Sequence, residues 1–225
     1  MKYRWIMCVK LSTPVEGPHH MSKTFSLYSI DRQIVIWFDT IAEKPMEERV
    51  QIVLKKYFLP DEFVKSIFHI SPQKLKERNV KGIITDLDNT LVEWDRPSAT
   101  PRLIEWFQEM KDHGIQVTIV SNNNEKRVKL FSEPVHIPFI YKAKKPMGRA
   151  FNKAVADMQL KKEDVVVIGD QLMTDVLGGN RHGFHTILVV PVAASDGFFT
   201  KFNRQIERRI LGALKRKGHI QWEEE

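Results

Sequence analysis

The sequence predicts an α/β protein in which a Rossmann-like, doubly wound sheet of five parallel strands lies between two layers of helices. Between residues 81 and 195, five short apolar runs alternate with stretches of helical periodicity, which is the pattern of consecutive βαβ units. The runs are almost continuously apolar, as is typical of strands that helices cover on both faces. Ligands of such sheets bind beyond the carboxyl ends of the strands, so the residues after each run are the first candidates for chemistry.

The predicted strands are rich in valine, isoleucine and phenylalanine and are bounded by polar residues or glycine. The first begins at Gly82 and ends at Asp86, and the last ends where Pro191 follows it. The five strands are expected at residues 82–86, 116–120, 139–141, 165–168 and 186–190.

Four helices are predicted to connect these strands. Proline occupies the first turn of the helices that start at Pro101 and Pro146, where its missing N–H costs no hydrogen bond, and Gly114 ends the first of them. Gly178 and Gly179 interrupt the last helix, where they allow a bend or close packing. The helices are expected at residues 101–113, 124–132, 146–158 and 174–182.

The chain changes character on both sides of this core. Residues 1–45 combine proline, glycine and histidine with no persistent period, which predicts a poorly ordered N-terminal extension. Residues 46–80 are predicted to form a helical lead-in, because apolar residues recur at helical spacing before Pro60. Residues 81–195 form the predicted core, and residues 196–225 a basic, amphipathic C-terminal helix.

Composition restricts the classes of function. The 225 residues carry a net charge of +7 and a single cysteine, which excludes a disulfide framework and any zinc site built from several cysteines. No apolar run reaches the roughly 18 residues needed to span a bilayer, so we expect a cytoplasmic protein. The positive charge favours an anionic partner, such as a phosphorylated substrate, an anionic lipid or a nucleic acid.

The C-terminal helix concentrates the positive charge. Residues 201–217 contain seven basic residues and one acid, and apolar residues recur along one face at a spacing of four. A basic amphipathic helix is typical of peripheral attachment to an anionic membrane, which we expect through residues 198–217. The same pattern fits a terminal helix that packs on the sheet, and the two interpretations are compatible.

Two carboxylates follow the first predicted strand. Asp86 and Asp88 are two residues apart, which places both side chains on the same side of an extended chain. Their mutual repulsion is relieved by a proton or by a cation such as Mg²⁺, whose preferred ligands are oxygen atoms. One carboxylate can then attack phosphorus while the other transfers a proton, although an acidic turn after a strand has no such role in many proteins.

The other strand ends carry complementary groups. Ser121 and Asn122 follow the second strand and can hold an anionic oxygen or cap the next helix. Lys145 directly precedes Pro146, where a helix is predicted to start. The start of a helix is an unfavourable position for a cation unless the cation neutralises phosphate or carboxylates. Asp170, after the fourth strand, suits a metal, and Asp175 lies at a helix start, where a carboxylate is favourable without any ligand.

Taken in this order, the motifs resemble those of the haloacid dehalogenase (HAD) superfamily of phosphohydrolases. The matching segments are Asp86-Leu-Asp88-Asn-Thr90, Ser121, Lys145, and Gly169-Asp170 with Asp175. From about Leu54 to Trp222 the chain is similar, more narrowly, to subfamily IIIA phosphatases of the YqeG type, which are related to phosphatidylglycerophosphate phosphatases.

The resemblance implies a role for each matching side chain. Asp86 is the expected nucleophile that forms an aspartyl-phosphate. Asp88 is the expected acid that protonates the leaving group and then, as a base, activates water. Thr90 is expected to support the loop, and the residues expected to bind phosphate oxygens are Ser121, Asn122, Lys145 and Thr90.

The resemblance also implies Mg²⁺ as the cofactor. Its expected ligands are Asp86, Asp170 and the main-chain carbonyl of Asp88. Asp175 is expected behind these ligands, where it orients Lys145 or a metal-bound water. An acid two residues after the nucleophile is the pattern of the superfamily's phosphatases rather than of its dehalogenases.

The sequence leaves no room for a large cap domain. Only about thirty residues separate Thr90 from Ser121, and one predicted helix fills them. HAD enzymes that close over small metabolites insert caps at such positions, so the resemblance implies an open site for a substrate whose bulk stays outside. The implied reaction converts phosphatidylglycerophosphate into phosphatidylglycerol and phosphate at the inner face of a membrane.

Two other functions remain open at the level of sequence. A capless phosphatase of nucleic-acid ends, phosphoproteins or soluble phosphometabolites would use the same residues and the same basic helix. The chain has no basic platform with interleaved aromatic residues, which makes nucleic acid the weaker partner. A non-enzymatic scaffold with this fold is a further alternative, and the complete set of acidic residues argues against it.

Overall fold

The computed structural model describes residues 44–193, 200–216 and 218. Residues 1–43 of the expected N-terminal extension lie outside the described residues, as do residues 198, 199 and 217 of the expected membrane contact. The described part has the predicted α/β architecture, with a parallel sheet between two layers of helices.

The sheet has six parallel strands in the order β1-β6-β5-β2-β3-β4. The chain winds from β2 through β3 to β4 and then crosses to β5 on the other side of β2. The winding direction therefore changes between β2 and β5, which is where ligands of doubly wound sheets bind. The strands are β1 (Glu62–Val64), β2 (Gly82–Thr85), β3 (Gln116–Val120), β4 (Phe139–Ile140), β5 (Val165–Gly169) and β6 (His185–Val189).

The expectation of five strands was wrong by one. The additional strand is β1, which lies within the segment predicted as a helical lead-in. It pairs with β6 over three residues, from Glu62 opposite Ile187 to Val64 opposite Val189. Its three residues are all half-buried at the edge of the sheet, so the strand has no buried, apolar run of the kind that marks the central strands.

Helices cover both faces of the sheet. Hydroxyl and amide side chains cap three of them, because the side chains of Ser71, Thr100 and Asn124 each accept a hydrogen bond from a main-chain N–H in the first turn. The helices are α1 (Met46–Phe58), α2 (Pro72–Glu77), α3 (Pro101–Asp112), α4 (Glu125–Ser132), α5 (Gly148–Asp157), α6 (Leu177–Arg181) and α7 (Thr200–Arg216).

Two of the predicted helices differ in detail. The helix expected from Pro146 begins at Gly148, so Lys145 lies in the preceding loop rather than directly at a helix start. The helix expected over residues 174–182 is a π-helical turn, Leu172–Val176, followed by α6. Such turns are frequent at functional sites, and this one begins two residues after Asp170 and contains Asp175.

Apolar side chains form a layer on each side of the sheet. On one side, α3 and α4 contribute Leu103, Met110, Val128 and Phe131, all of them buried. On the other, α5 contributes Phe151, which is fully buried and lies against the ring of Phe184. These two layers hold the strands in a fixed register and so fix the positions of the residues at the strand ends.

Helix α7 packs on the core in the part that the structure describes. Leu214 is fully buried, and Ile210 and Leu211 pack against the apolar cluster of Leu172, Val176 and Leu188. The carboxylate of Glu207 accepts a hydrogen bond of 3.1 Å from the main-chain N–H of Met173, in the π-helical turn. The basic residues of this helix whose side chains are described lie in solvent: Arg208, Arg209, Lys215 and Arg216.

No inserted domain lies between β2 and α3, and the chain between β3 and α5 contains only α4, β4 and their short connections, in agreement with the expected absence of a large cap. Within the described ranges, no helix is long and apolar enough to cross a bilayer.

Candidate active site

Asp86 lies immediately after β2, at the point where the winding direction of the sheet changes. Its main-chain N–H donates to the carbonyl of Ile168 in β5, at 3.0 Å. The chain then turns through Asn89, which has a left-handed backbone, and comes back so that Asp88 forms an isolated bridge with Val92. This turn points two carboxylates toward the same edge of the sheet while Leu87, between them, is buried in the core.

Lys145 forms a buried ion-pair triad with Asp86 and Asp175. Its Nζ lies 2.9 Å from Asp86 Oδ1 and 2.7 Å from Asp175 Oδ1, and its side chain is only 2% exposed. Burial by itself lowers the pKa of Lys145, but the charges of Asp175 and Asp86 outweigh burial and raise that pKa above its usual value. Lys145 is therefore a permanent cation at this site.

Asn122 fixes the main chain of Lys145. Its Oδ1 accepts a hydrogen bond of 2.7 Å from the Lys145 N–H, and its Nδ2 donates to the Lys145 carbonyl at 3.3 Å. The loop after β3 thus holds the loop after β4. Asn122 is predicted from the sequence to contact phosphate, and its observed hydrogen bonds show that it positions Lys145.

Asp170 completes a buried acidic cluster. Carboxylate oxygens of Asp86, Asp170 and Asp175 lie within 4.8 Å of one another, and all three residues are buried. Against these three carboxylates the cluster contains one ammonium group, that of Lys145. Burial, together with the negative charge of Asp86, raises the pKa of Asp175 to about 6 despite the opposing charge of Lys145.

A divalent cation fits this cluster. The donors are carboxylate oxygens, which Mg²⁺ prefers, and the excess of buried negative charge is unfavourable unless a cation or proton offsets it. Thr90, expected to support the loop, donates a hydrogen bond of 2.9 Å to Asp170 Oδ1 and so orients that carboxylate.

Asp88 lies in a different environment. Its Oδ1 accepts from Nε of Arg127 at 3.0 Å and lies 2.9 Å from Nη2, while its Oδ2 accepts from Nδ2 of Asn123 at 2.9 Å. Burial raises the pKa of Asp88, and Asp86 adds to this effect, while Asn123 and Arg127 oppose it. Asp88 therefore holds a proton more readily than an ordinary aspartate.

Ser121 ends β3 beside these groups. It is buried, its main-chain N–H donates to the carbonyl of Ile140, and its Oγ accepts from the N–H of Asn123 at 3.1 Å. Neither of these contacts uses the hydroxyl proton of Ser121, which can therefore be donated to a phosphoryl oxygen.

A family model for haloacid dehalogenase-like hydrolases matches residues 19–183. The chain belongs to this family. It is 84% identical over 172 residues to the Bacillus subtilis (strain 168) protein named "Probable phosphatase YqeG", and the match covers 76% of this chain and 100% of that protein. The family assignment drawn from the motifs is confirmed, and the chain is a HAD-type phosphatase.

Two more distant relatives carry the name of a lipid phosphatase. The chain is 28% identical over 182 residues to "Phosphatidylglycerophosphate phosphatase 1, chloroplastic/mitochondrial" of Arabidopsis thaliana, covering 75% of this chain and 52% of that protein. It is 27% identical over 159 residues to the Chlamydomonas reinhardtii protein "Phosphatidylglycerophosphate phosphatase 1, chloroplastic", covering 66% of this chain and 59% of that one. The chain thus spans little more than half the length of these two relatives.

Gly169 lets this HAD site close around Lys145. A Cβ atom at position 169 would collide with the carboxylate of Asp175, so glycine is required for that side chain to cross the end of β5. The Asp175 carboxylate is also held by the N–H of Gln171 at 3.3 Å and the hydroxyl of Thr174 at 3.2 Å. Thr174 lies in the π-helical turn, and Gln171 is the residue directly before it.

Two side chains that hold Asp88 were not among the residues predicted from the sequence. Asn123 lies next to the pair Ser121 and Asn122 that was singled out, and Arg127 follows Asn123 by four residues on α4. A cation one turn into a helix that starts at a strand end faces back toward that edge. This spacing is the signal that could have identified Arg127.

Proposed function

We propose that this HAD phosphatase hydrolyses phosphomonoesters in two steps through an aspartyl-phosphate on Asp86. The observation that supports this most directly is the contrast between two carboxylates of one loop. Asp86 is paired with the buried ammonium group of Lys145, whereas Asp88 lies where its pKa is raised and can carry a proton.

In the first step, an oxygen of Asp86 attacks phosphorus and the bond from phosphorus to the leaving oxygen breaks. Asp88 gives its proton to that oxygen, which leaves as an alcohol. Lys145 and the Ser121 hydroxyl face the phosphoryl oxygens and stabilise the charge that gathers on them in the transition state. Asn122 and Thr90 are proposed to assist there, in addition to holding Lys145 and Asp170 in place.

In the second step, Asp88, now an anion, takes a proton from water as the water oxygen attacks phosphorus. The bond between phosphorus and Asp86 breaks, which releases phosphate and restores both carboxylates to their starting states. Mg²⁺ would be held by Asp86, Asp170 and the main-chain carbonyl of Asp88, beside Asp175, and when bound it supplies positive charge to offset the phosphoryl oxygens.

We further propose phosphatidylglycerophosphate as the substrate and the cytoplasmic face of a membrane as the place of action. Three observations support a lipid phosphomonoester: the names of the two distant relatives, the absence of a cap over the site, and the exposed basic face of α7. In this proposal, residues 198–217 add attraction to an anionic headgroup layer through their positive charge.

The test is phosphate release from phosphatidylglycerophosphate in mixed micelles, with Mg²⁺ and after EDTA, beside the variant Asp86→Asn. We expect release that requires Mg²⁺ and is lost in the variant. Activity on an aryl phosphate without release from the lipid would contradict the substrate but leave the chemistry intact. The search would then turn to nucleic-acid ends, phosphoproteins and soluble metabolites. Full activity of Asp86→Asn would contradict the mechanism itself.

A further inference from the structure

Large apolar side chains are exposed around the mouth of the active site. Trp94, Tyr141, Met147 and Val192 are between 38% and 63% exposed. They lie in the loops that follow β2, β4 and β6, and because all strands are parallel, these loops share the edge that carries Asp86. These four residues and the exposed cations Lys142 and Lys144 form a surface that we call the rim.

Main-chain hydrogen bonds place the rim beside the catalytic groups. The N–H of Val192 donates at 2.8 Å to the carbonyl of Asn89, the residue after Asp88. The N–H of Lys142 donates at 2.9 Å to the carbonyl of Asn123, whose side chain holds Asp88. These two bonds place Val192 and Lys142 beside the loop that carries Asp88, and the remaining members of the rim lie on the loops that follow β2 and β4 at the same edge of the sheet.

The rim has a positive side. Residues 141–149 contain three lysines and one arginine and no acid. Lys142 and Lys144 have φ angles of 48° and 55°, a left-handed backbone that is unfavourable for lysine. With this backbone Ala143 and Lys145 are buried, while Lys142 and Lys144 project into solvent.

The loop after β2 contributes an aromatic ring to the rim. Trp94 is 43% exposed there and is followed by the exposed Asp95 and by Arg96, which pairs with Glu93 at 2.6 Å. The cations of the rim therefore come from residues 141–149 alone, and its largest apolar side chain comes from the loop after β2.

Helix α7 is poorly suited to enter a bilayer with the apolar side chains that the structure describes. Leu214 is fully buried, and Ile210 and Leu211 pack on the core, so these side chains are already covered. The described part of α7 can attract an anionic membrane through its exposed basic side chains. Insertion into the membrane requires apolar side chains that are exposed in the folded protein.

We propose that the rim is the surface by which this protein docks on an anionic lipid bilayer, with its apolar side chains in the headgroup region. Tryptophan and tyrosine favour that region because one end of each side chain is apolar and the other polar, and methionine adapts to irregular surroundings. Lys142 and Lys144 then contact lipid phosphates beside the opening. This inference rests on the proposed function, since it brings a lipid phosphomonoester to Asp86 without extraction from the membrane.

The primary test is co-sedimentation of the full chain with vesicles of phosphatidylcholine, with and without phosphatidylglycerol. We expect binding to the anionic vesicles, weakened by salt. The double variant Trp94→Gln/Met147→Gln is expected to bind about tenfold or more weakly, because binding strength scales with the apolar area inserted. The matched control Ile104→Gln/Leu130→Gln removes two apolar side chains of similar exposure on α3 and α4 and is expected to bind like the wild type.

Aryl phosphate hydrolysis without vesicles separates this inference from the proposed function. The rim variant is expected to keep that activity, which also shows that it is folded. If the wild type does not hydrolyse an aryl phosphate, the proposed function is contradicted. If the rim variant hydrolyses the aryl phosphate and also binds vesicles as tightly as the wild type, only the docking surface is contradicted. Absence of wild-type binding to anionic vesicles would contradict it too.

A second measurement locates the contact. Quenching of tryptophan fluorescence by brominated lipids in anionic vesicles is expected to fall in Trp94→Phe, because that variant keeps an apolar ring but loses the reporter. Equal quenching in the wild type and in Trp94→Phe would place Trp94 outside the bilayer and overturn the proposal. Loss of vesicle binding in Arg209→Gln/Arg216→Gln, with full binding of the rim variant, would assign docking to α7 instead.

Discussion

Asp86 and Asp88 lie two residues apart in the same loop, yet different groups surround their carboxylates. Asp86 faces the sheet, where the buried ammonium group of Lys145 is 2.9 Å away. Asp88 faces α4, where Arg127 and Asn123 hold it and where its side chain remains 18% exposed. A single loop thus presents one carboxylate that is paired with a buried lysine and another whose pKa is raised.

The comparison shows how identical side chains acquire different roles. The ammonium group of Lys145 pairs with the carboxylate of the proposed nucleophile. Burial raises the pKa of the proposed general acid, Asp88. Neither role follows from aspartate chemistry alone. Each depends on which neighbour the fold brings to the carboxylate, and substitutions can test each neighbour separately.

The largest expected effect comes from removing the nucleophile. Asp86→Asn keeps the shape of the side chain but removes the attacking oxygen anion, so turnover should fall by about a thousandfold or more on every phosphomonoester. Steady-state kinetics measure this. Urea unfolding should show little loss of stability, because Asp175 still pairs with Lys145.

By contrast, Lys145→Met leaves two buried carboxylates without their cation, and its free energy of unfolding should fall by about 3–5 kcal/mol. Equal stability of Asp86→Asn and Lys145→Met would contradict the buried triad.

The next largest effect is expected for Asp88→Asn, and it should depend on the leaving group of the substrate. Asp88→Asn cannot protonate a leaving oxygen, so kcat on an alkyl phosphate should fall by about 10²–10⁴-fold. An aryl phosphate, whose leaving group departs without a proton, should be affected much less. The ratio of the two activities is the measurement. Equal losses on both substrates would show that Asp88 has no proton to give.

Gly169→Ala should disturb the Asp86 side while leaving Asp88 in place. The added methyl group collides with the Asp175 carboxylate and displaces it from Lys145, and a displacement of this kind costs about a hundredfold in kcat. A matched control is Gly212→Ala in α7, where the nearest atom to the new methyl group is 3.6 Å away. That control should keep full activity. Similar kcat values for the two variants would argue against a role for Asp175 in holding Lys145.

The smallest effect sharpens the Asp88 side. Arg127 lowers the pKa of Asp88 against the dominant effect of burial, so Arg127→Gln should raise that pKa further. Because the first step needs Asp88 protonated, the alkaline limb of kcat/KM on an alkyl phosphate should move to higher pH. We also expect kcat to fall by about tenfold, since Asp88 loses two of its three contacts.

The control for this substitution lies on the same helix. Lys129→Gln removes an exposed cation of α4 that pairs with Glu133 and should leave the pH profile unchanged. An alkaline limb that stays in place in Arg127→Gln, or moves to lower pH, would show that the guanidinium does not control the proton of Asp88.

Much of the site was predictable because parallel strands place their carboxyl ends at one edge. Asp86, Ser121, Lys145 and Asp170 each follow an apolar run, and the structure brings all four to that edge. The family assignment followed from the same order of residues. The roles of these side chains in catalysis and metal binding stay predictions, to be tested by the substitutions above.

The misses share a physical cause. Strand β1 has three half-buried residues, too few for a pattern, and exists because β6 offers a free edge. Arg127 looks like any cation on a polar helix until α4 is docked against the loop after β2. Glu207 likewise reads as one charge in a basic helix, whereas its carboxylate is buried against the π-helical turn.

The sequence by itself determined the parallel α/β fold, the open site and the order of its reactive groups, because apolar runs and chain connectivity decide where each strand ends. Only the tertiary structure decided which carboxylate meets Lys145, which meets Arg127, and which face of α7 is covered. Those outcomes depend on contacts of a few ångströms between residues far apart in the chain. Local patterns do not encode such distances; the packing of helices on the sheet does.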